Sequence, residues 1–392
     1  MEPRGTRSVC SGHGHDHQRV ITVATAVRRR ARTDEIAVAE PSGGLIGHGA
    51  AQLPLVRVDT YNEELRTADR FVGDQASKKA FGEILDAWRK RLKQFGGDPL
   101  EPHPEIKKKH LDRLLTDGNL KEAGLVESVI EDFAQQFAHV IHRFMNLKSW
   151  RGTECIVVGG GLRASRVGEL TIARAAVLLK AKDCDVDLRP IRYHPDEAGL
   201  IGCMFLAPSW VLRGHEAILA VDIGGSNIRA GIVEFKLKKS PAETKATIGK
   251  LELWRYADLK KEPTREEAVT HLVEMLRGLI RHAEKAKLKL APFVGIGCPG
   301  LIRADGSIER GAQNLPGNWE SQRFNLPKRL HELIPRIGEH GSMFVMHNDA
   351  VAQGLSEVPV MRKSKHWGVL TIGTGLGNAR FTSIGPNNRK AD

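Results

Sequence analysis

Four times in this chain an apolar, strand-like run breaks into glycine. ECIVV runs into Gly159–Gly161, AILAVD into Gly224 and Gly225, FVGIG into Pro299–Gly300, and VLTI into Gly373–Gly377. A glycine at a strand end lets the backbone turn sharply and approach a ligand closely, because no Cβ intervenes. The stretches around these breaks carry helical patterns. Phe81, Ile84, Leu85, Trp88, Leu92 and Phe95 fall at helical spacing, with Asp74 placed to cap the start and Gly96-Gly97 to end it. A second apolar face, from Val126 to Phe144, predicts a helix over about Leu125–Leu147. Strand, loop and helix alternate, which predicts an α/β protein whose strands deliver ligand loops. No fixed-period repeat is visible.

The remaining elements are read in the same way. Strands are predicted at Glu154–Val158, Val186–Ile191, Ala246–Trp254, Phe293–Gly297 and Phe344–Asp349, and helices at about Arg166–Leu179, Leu200–Leu206 and Arg265–Ala283. HPDEAG reads as a loop leading into the helix at Leu200, and LIRADGSI reads as a hairpin.

With 392 residues and 41% hydrophobic content, the chain can build two lobes with real cores. No run of eighteen apolar residues exists, so no membrane span is expected. The first residues lack the apolar core of a signal peptide, and a cytoplasmic location is the expectation. Five scattered cysteines without a C-x-x-C pair suggest neither a disulfide framework nor a cysteine zinc site. The net charge of +12 is compatible with nucleic acid, an anionic ligand such as ATP, or a basic background. Its one dense block, Arg28–Arg32, lies in residues 1–45, which read as a flexible arm. His13, His15 and His17 in that arm read as part of a polar tail rather than a metal site.

The loops carry the chemistry. Backbone N–H groups of Gly224, Gly225, Ser226 and Asn227 can hold phosphate, and Asp222 can hold Mg²⁺ directly or through water. Gly373, Thr374, Gly375 and Gly377 offer a second phosphate cradle. Between these two loops in sequence, the strand FVMHND ends in Asn348-Asp349. An Asp there can face a cleft and take a proton from a hydroxyl, or it can simply cap a helix. IVVGGGLRA also fits the dinucleotide fingerprint G-x-G-x-x-A, which would make the protein an oxidoreductase. That reading wants an acidic residue at the end of the next strand, where this chain has Arg189–Tyr193.

Taken together, VDIGGSNIRAGIV, GIGCPGLI, NLPGNW (Asn314–Trp319), HNDA and TIGTGLGN resemble the motifs of the ROK family of sugar kinases and regulators. The resemblance is specific from about Ala217 to Arg380. In that family a helix, a strand ending in a glycine triplet, and an alanine-glycine adenosine motif come next. Here Leu125–Leu147, CIVVGGGL and DEAGLIG (Asp196–Gly202) carry those features upstream, in the same order. The resemblance therefore implies a circularly permuted, two-lobed α/β fold of the actin/hexokinase-like (ribonuclease H-like) kind, with a nucleotide cleft between the lobes. It divides the chain into a flexible arm (1–45), a first ATP-side segment (46–213), a phosphate and sugar lobe (214–342) and a second ATP-side segment (343–392).

The same resemblance implies an ATP- and Mg²⁺-dependent kinase acting on a hexose. Asp349 is then the general base, and Asn348, Asn314 and His48 contact the sugar. Asp222 holds the metal, and Gly159, Gly160, Gly161, Ala198 and Gly199 line the adenosine pocket. Two features depart from the family. The zinc-binding cysteines are absent, and GLIGH (Gly44–His48) has Leu45 where the family has a sugar-binding Glu. The alternative within the family is a sugar-sensing transcriptional regulator without catalysis. The region ahead of the body has no convincing helix-turn-helix, which argues against nucleic acid as a partner. A membrane partner is not expected, and a homodimer is left open.

Overall fold

Strands buried on both faces read as continuous apolar runs rather than alternating ones, and Ala217–Ile223 is buried at every position. A computed structural model describes residues 47–66, 71–101, 106, 108–236 and 245–384. The chain divides into two units, Met1–Ser42 and Gly43–Asp392, and every described residue lies in the second. The expected arm with its basic block and its histidines lies outside the described residues, as do Cys10 and Leu45.

In chain order the elements begin with β1 (Val56–Tyr61), α1 (Lys78–Gln94), α2 (Lys108–Thr116) and α3 (Leu120–Met145). Then come β2 (Cys155–Gly159), α4 (Arg166–Lys180), β3 (Asp187–Pro190), α5 (Pro195–Cys203) and the short α6 (Ser209–Leu212). The middle of the chain forms β4 (Ala217–Ile223), β5 (Ile228–Lys236), β6 (Lys245–Trp254), α7 (Arg265–Lys285) and β7 (Leu290–Cys298). It continues with α8 (Leu326–Leu333), the two-residue strands β8 (Arg336–Ile337) and β9 (His340–Gly341), and β10 (Met343–Asn348). The last elements are α9 (Asp349–Leu355), α10 (Val358–Met361), β11 (His366–Ile372) and β12 (Leu376–Ser383).

The strands form two five-stranded sheets of one design, ordered β1-β12-β11-β2-β3 and β10-β7-β4-β5-β6. In each, a central strand (β11 or β4) pairs antiparallel with the next strand in sequence. That partner pairs antiparallel with an outer strand, β1 or β6. On its other side the central strand pairs parallel with β2 or β7, and beyond these β3 or β10 continue in parallel. The result is an α/β protein built on two sheets of the same strand order. In the second sheet the strands adopt this scheme in chain order. In the first, the two strands that open the scheme, β11 and β12, come last in the chain.

Period-two alternation sorts the core. Ile218 and Ala220 of β4, Val157 of β2 and Val369 of β11 face a central layer that includes α5 and α9. Ile156, Val158, Leu370 and Ile372 face outward onto α3 and α4. Leu219 and Val221 face outward onto α7.

Local capping adjusts several expected boundaries. Asn119 and Glu122 form a reciprocal capping box, so α3 starts at Leu120 rather than Leu125. Ser77, not Asp74, caps α1, its Oγ accepting the Ala80 N–H at 3.1 Å while donating to the Asp74 carbonyl at 2.7 Å. HPDEAG is the beginning of α5 rather than a loop, because Pro195 stands at the first helical position and the His194 ring accepts the Asp196 N–H. LIRADGSI turns back on itself as expected of a hairpin, with Ile302 bridged to Ile308, the Arg303 N–H donating to the Ser307 carbonyl and the Glu309 N–H to the Leu301 carbonyl. The expected boundary at 342/343 is also corrected. β10 is hydrogen-bonded to β7, so this strand belongs to the sheet of β4 and β5. No described helix is long and apolar enough to cross a membrane.

Candidate active site

The tight turn after β4 fixes the first part of the site. Gly224 N–H donates to the Asn227 carbonyl at 2.9 Å, so β4 and β5 pair immediately on either side and Asp222 stands opposite Arg229. Arg229 Nη1 meets Asp222 Oδ2 at 3.0 Å, while its Nε and Nη2 hold Asp196 Oδ1 of α5 at 2.7 and 2.6 Å. The Asp222 side chain is 5% exposed. Burial pushes its carboxyl above the usual range and the Arg229 guanidinium pulls it back. The loop itself is braced from outside, with Tyr256 Oη donating to the Gly224 carbonyl and Ala257 N–H to that of Ser226.

The second glycine loop leaves β11 and is braced in the same way. Gly373 N–H donates to Gly375, and the Gly373 carbonyl accepts the first N–H of α1, from Lys78. The two loops face one another. A Cβ built on Gly225 would lie 3.1 Å from Asn314 Cβ and 3.8 Å from Thr374 Oγ1.

Between them lies a cavity of about 490 Å³. Its wall includes Asp222, the loops Gly224–Asn227 and Gly373–Gly375, Gly377, Asn314, and Gly160 with Gly161 from the end of β2. The glycine triplet and the Asp222 loop thus open onto one space. Asp349 joins them from the start of α9. Its side chain is partly open to this cavity, and its pKa is pushed up to about 7, first by desolvation and then by the nearby charge of Asp222. The N–H of Ala350 and the Asn348 side chain act in the opposite sense.

Several expected site residues stand behind the wall rather than in it. Asn348 is 2% exposed. Its Oδ1 accepts the Ala350 and Val351 N–H groups, and its Nδ2 donates to the Gly300 carbonyl at 3.0 Å. It caps α9 and ties down the β7 turn, and so positions Asp349 rather than lining the cavity. His48 Nδ1 accepts the Met346 N–H at 3.0 Å, and the neighbouring Gly49 N–H donates to the Met346 carbonyl. The His48 ring is thereby fixed along the edge of β10, and desolvation lowers its pKa toward the neutral form that this bond requires. Gly159, Ala198 and Gly199 also lie outside the cavity wall. Gly199 leaves room for Asp222, since a Cβ there would sit 2.8 Å from the Asp222 carboxyl carbon.

Sequence reasoning missed Arg229, Asp196 and Gln353. The Arg229 pairing was available in principle, because a tight turn over 224–227 places 229 across from 222. Asp196 and Gln353 carry no such local signal. Three buried side-chain polar atoms among the described residues have no partner: Asn227 Oδ1, Gln353 Oε1 and Arg163 Nε. Asn227 and Gln353 both line the cavity. A buried carbonyl oxygen left unpaired costs about 1–3 kcal/mol.

Among the described residues no group of three or more His, Cys, Asp or Glu side chains is set to bind a metal. Mg²⁺ is commonly held by one or two carboxylates together with substrate phosphates and water. Asp222, beside the first glycine loop, fits such a role. The four described cysteines are free, and burial pushes the Cys203 and Cys298 thiols up, away from reactive thiolate.

No protein-family model matches the chain. It is similar to a glucokinase of Thermotoga maritima, with 29% identity over 170 residues that cover 42% of this chain and 44% of that protein. The chain thus spans about half the length of the curated relative it matches. Among solved structures it is similar to the ROK hexokinase of Thermus thermophilus, at 20% identity over 41% of this chain and 45% of that one, with a TM-score of 0.30. It is also similar to the Lmo2764 protein of Listeria monocytogenes, at 23% identity over 44% and 51%, with a TM-score of 0.30.

Proposed function

We propose that this chain is an ATP-dependent sugar kinase of the ROK type that phosphorylates a hexose hydroxyl, with its lobes in circularly permuted order. The observation that carries the reading is Asp349. Its carboxyl, with a pKa of about 7, opens onto a cavity that two glycine loops enter from two different sheets. A general base works best when its pKa lies near the working pH. The glucokinase similarity and the shared strand order of the two sheets support the same reading.

In this mechanism Asp349 takes the proton of the sugar hydroxyl as its oxygen attacks the terminal phosphorus. The bond to the bridging oxygen breaks, and ADP leaves with that electron pair. The N–H groups of Gly224–Asn227 and Gly373–Gly377 hold the phosphates, and Asn314 lies on the sugar side. Asp222 would hold Mg²⁺, which supplies positive charge against the phosphate oxygens when bound, and Arg229 fixes the direction of the Asp222 carboxylate. Phosphoryl transfer depends chiefly on such positioning and charge neutralisation. The reading puts the enzyme in the cytoplasm with its ATP. A sugar-sensing regulator would need the sugar site but no base, so Asp349 favours turnover.

The test is coupled ADP release across a panel of hexoses. Sugar-dependent turnover is expected, and Asp349→Asn should lower kcat by roughly 10²–10⁴-fold. ADP release that ignores every sugar, or a variant as fast as the wild type, overturns the proposal.

A further inference from the structure

Asn62 stands just past the end of β1 with φ 53°, a left-handed conformation that Asn tolerates better than most side chains but still adopts at some cost. Its surroundings hold it there. The Asn62 N–H donates to the Asn378 carbonyl at 2.9 Å, and the Asn378 side chain brackets the next residue, accepting the Glu63 N–H at 3.0 Å and donating to the Glu63 carbonyl at 2.9 Å. The Glu63 carboxylate is fixed in turn by Ser149 Oγ at 2.7 Å and Trp150 Nε1 at 2.6 Å. This clamped backbone carries a side chain that is partly exposed and forms part of the cavity wall. The Asn62 amide has no hydrogen-bond partner among the described residues, and it is not one of the enclosed unpaired groups, so solvent reaches it.

Gly311 marks where this amide lies. A Cβ on Gly311, itself at φ 88°, would sit 2.8 Å from Asn62 Nδ2 and 3.0 Å from Gly300 Cα. Gly300 is the residue whose carbonyl Asn348 holds, one position before Asp349, and Asn62, Gly300, Gly311 and Asp349 all line the same cavity. The amide therefore belongs to the Asp349 side of that space. An Asn side chain donates through Nδ2 and accepts through Oδ1, as a hydroxyl both donates and accepts, whereas an ionised phosphate only accepts. Its complement is a neutral polyol rather than the phosphate chain. We infer that Asn62 is a sugar-specificity residue, whose carboxamide hydrogen-bonds a hydroxyl of the acceptor other than the one that Asp349 deprotonates. The inference rests on the kinase reading. It also gives the left-handed backbone at the end of β1 a purpose, which is to aim this amide into the cavity.

The test is steady-state ADP release by the full chain and by Asn62→Gly and Asn62→Asp. The acceptors are glucose, mannose, allose and galactose, followed by the monodeoxy analogues of whichever is turned over best. Glycine removes the amide yet suits the positive φ, and Asp keeps the shape while losing the donor, so urea midpoints should stay at the wild-type value. Both variants should raise KM for the best hexose by roughly tenfold, with kcat and the KM for ATP unchanged. One deoxy analogue should be used by the wild type about as poorly as the parent hexose is used by Asn62→Gly, and that variant should not distinguish the two. A folded Asn62→Gly with the wild-type sugar KM, a rise in the KM for ATP in its place, or a loss that is equal for every deoxy analogue overturns the inference and leaves the kinase reading standing. A wild-type chain without sugar-dependent ADP release overturns the kinase reading and this inference with it.

Discussion

As the proposed general base Asp349 has to be chargeable, yet it stands where charge is disfavoured. Desolvation and the neighbouring Asp222 hold its pKa near 7, against 3.8 for an ordinary Asp. A folded-state pKa above the unfolded value means that the native protein binds the proton more tightly. The resulting contribution to stability is complete below the ordinary carboxylate range and is lost as pH rises through about 7. Two measurements check this. kcat/KM should climb with pH and level off above about 7, as the free base forms. Asp349→Asn, which cannot ionise, should gain on the wild type in unfolding free energy from urea titration between pH 5 and pH 8, by up to about a few kcal/mol. A wild-type to variant difference that stays constant across that range contradicts the shifted carboxyl. Arg229 shows the opposite logic. It stands between Asp222 and Asp196 with a 15% exposed side chain, so its charge is compensated on both sides. It links the strand end before the first glycine loop directly to α5.

At the scale of elements, the crossing of α5 and α9 decides where Asp349 sits. Both helices are buried in the layer between the sheets, and small residues let their backbones touch. A Cβ on Gly202 would lie 1.7 Å from the Ala352 carbonyl oxygen and 3.0 Å from the Ser356 nitrogen, both backbone atoms that cannot step aside cheaply. Gly202→Ala should therefore force the helices apart, at a cost of about 1–3 kcal/mol in urea unfolding. Turnover should fall along with it, because α9 carries Asp349. An unchanged midpoint would show that the helices can separate without loss. Strand β1 is secured by different means. Its Asp59 carboxylate accepts from Arg380 and from Thr382 Oγ1 of β12, and Arg380 reaches on to Thr153 and the Arg151 carbonyl. A buried guanidinium with this many acceptors is satisfied only when β1, β12 and the turn before β2 are all in place.

At the scale of the whole molecule, the two sheets repeat one strand order although the chain visits them differently. β4, β5, β6, β7 and β10 keep to the scheme in sequence, whereas β11 and β12 must reach back to β1, β2 and β3. Pairing of β1 with β12 joins residues more than three hundred positions apart, such as Val56 with Ser383. The contacts of a permuted chain are the same as those of an unpermuted one, and only loop closure differs, which grows with the logarithm of loop length. Moving the chain ends to the exposed turn at Arg213-Gly214, so that 214–392 precede 1–213, should thus leave the fold intact. The expected outcome is an unchanged far-UV circular dichroism spectrum and one cooperative urea transition. Loss of cooperativity would count against the permuted reading.

Much of this was legible along the chain because it is local. Apolar runs ending in glycine located the strand ends that open on the cavity, helical periodicity located α1, α3, α4 and α7, and Asp222, Asp349 and both glycine loops, which line one cavity, stood out by type and spacing. The resemblance of upstream segments to a displaced C-terminal half also came from sequence order alone. Other features depended on distance between segments. Whether Asn348 and His48 point at a ligand or at backbone groups is set by which strand edges lie beside them, and both proved to be engaged with main-chain atoms. No fixed period revealed the duplicated sheet, because backbone pairing repeats there without repeating side chains. The unpaired oxygen of Gln353 and the pKa of Asp349 exist only after two lobes have closed over them. Sequence determines which groups a segment carries, but desolvation and unmet hydrogen bonds belong to the space between segments, and only the tertiary structure creates that space.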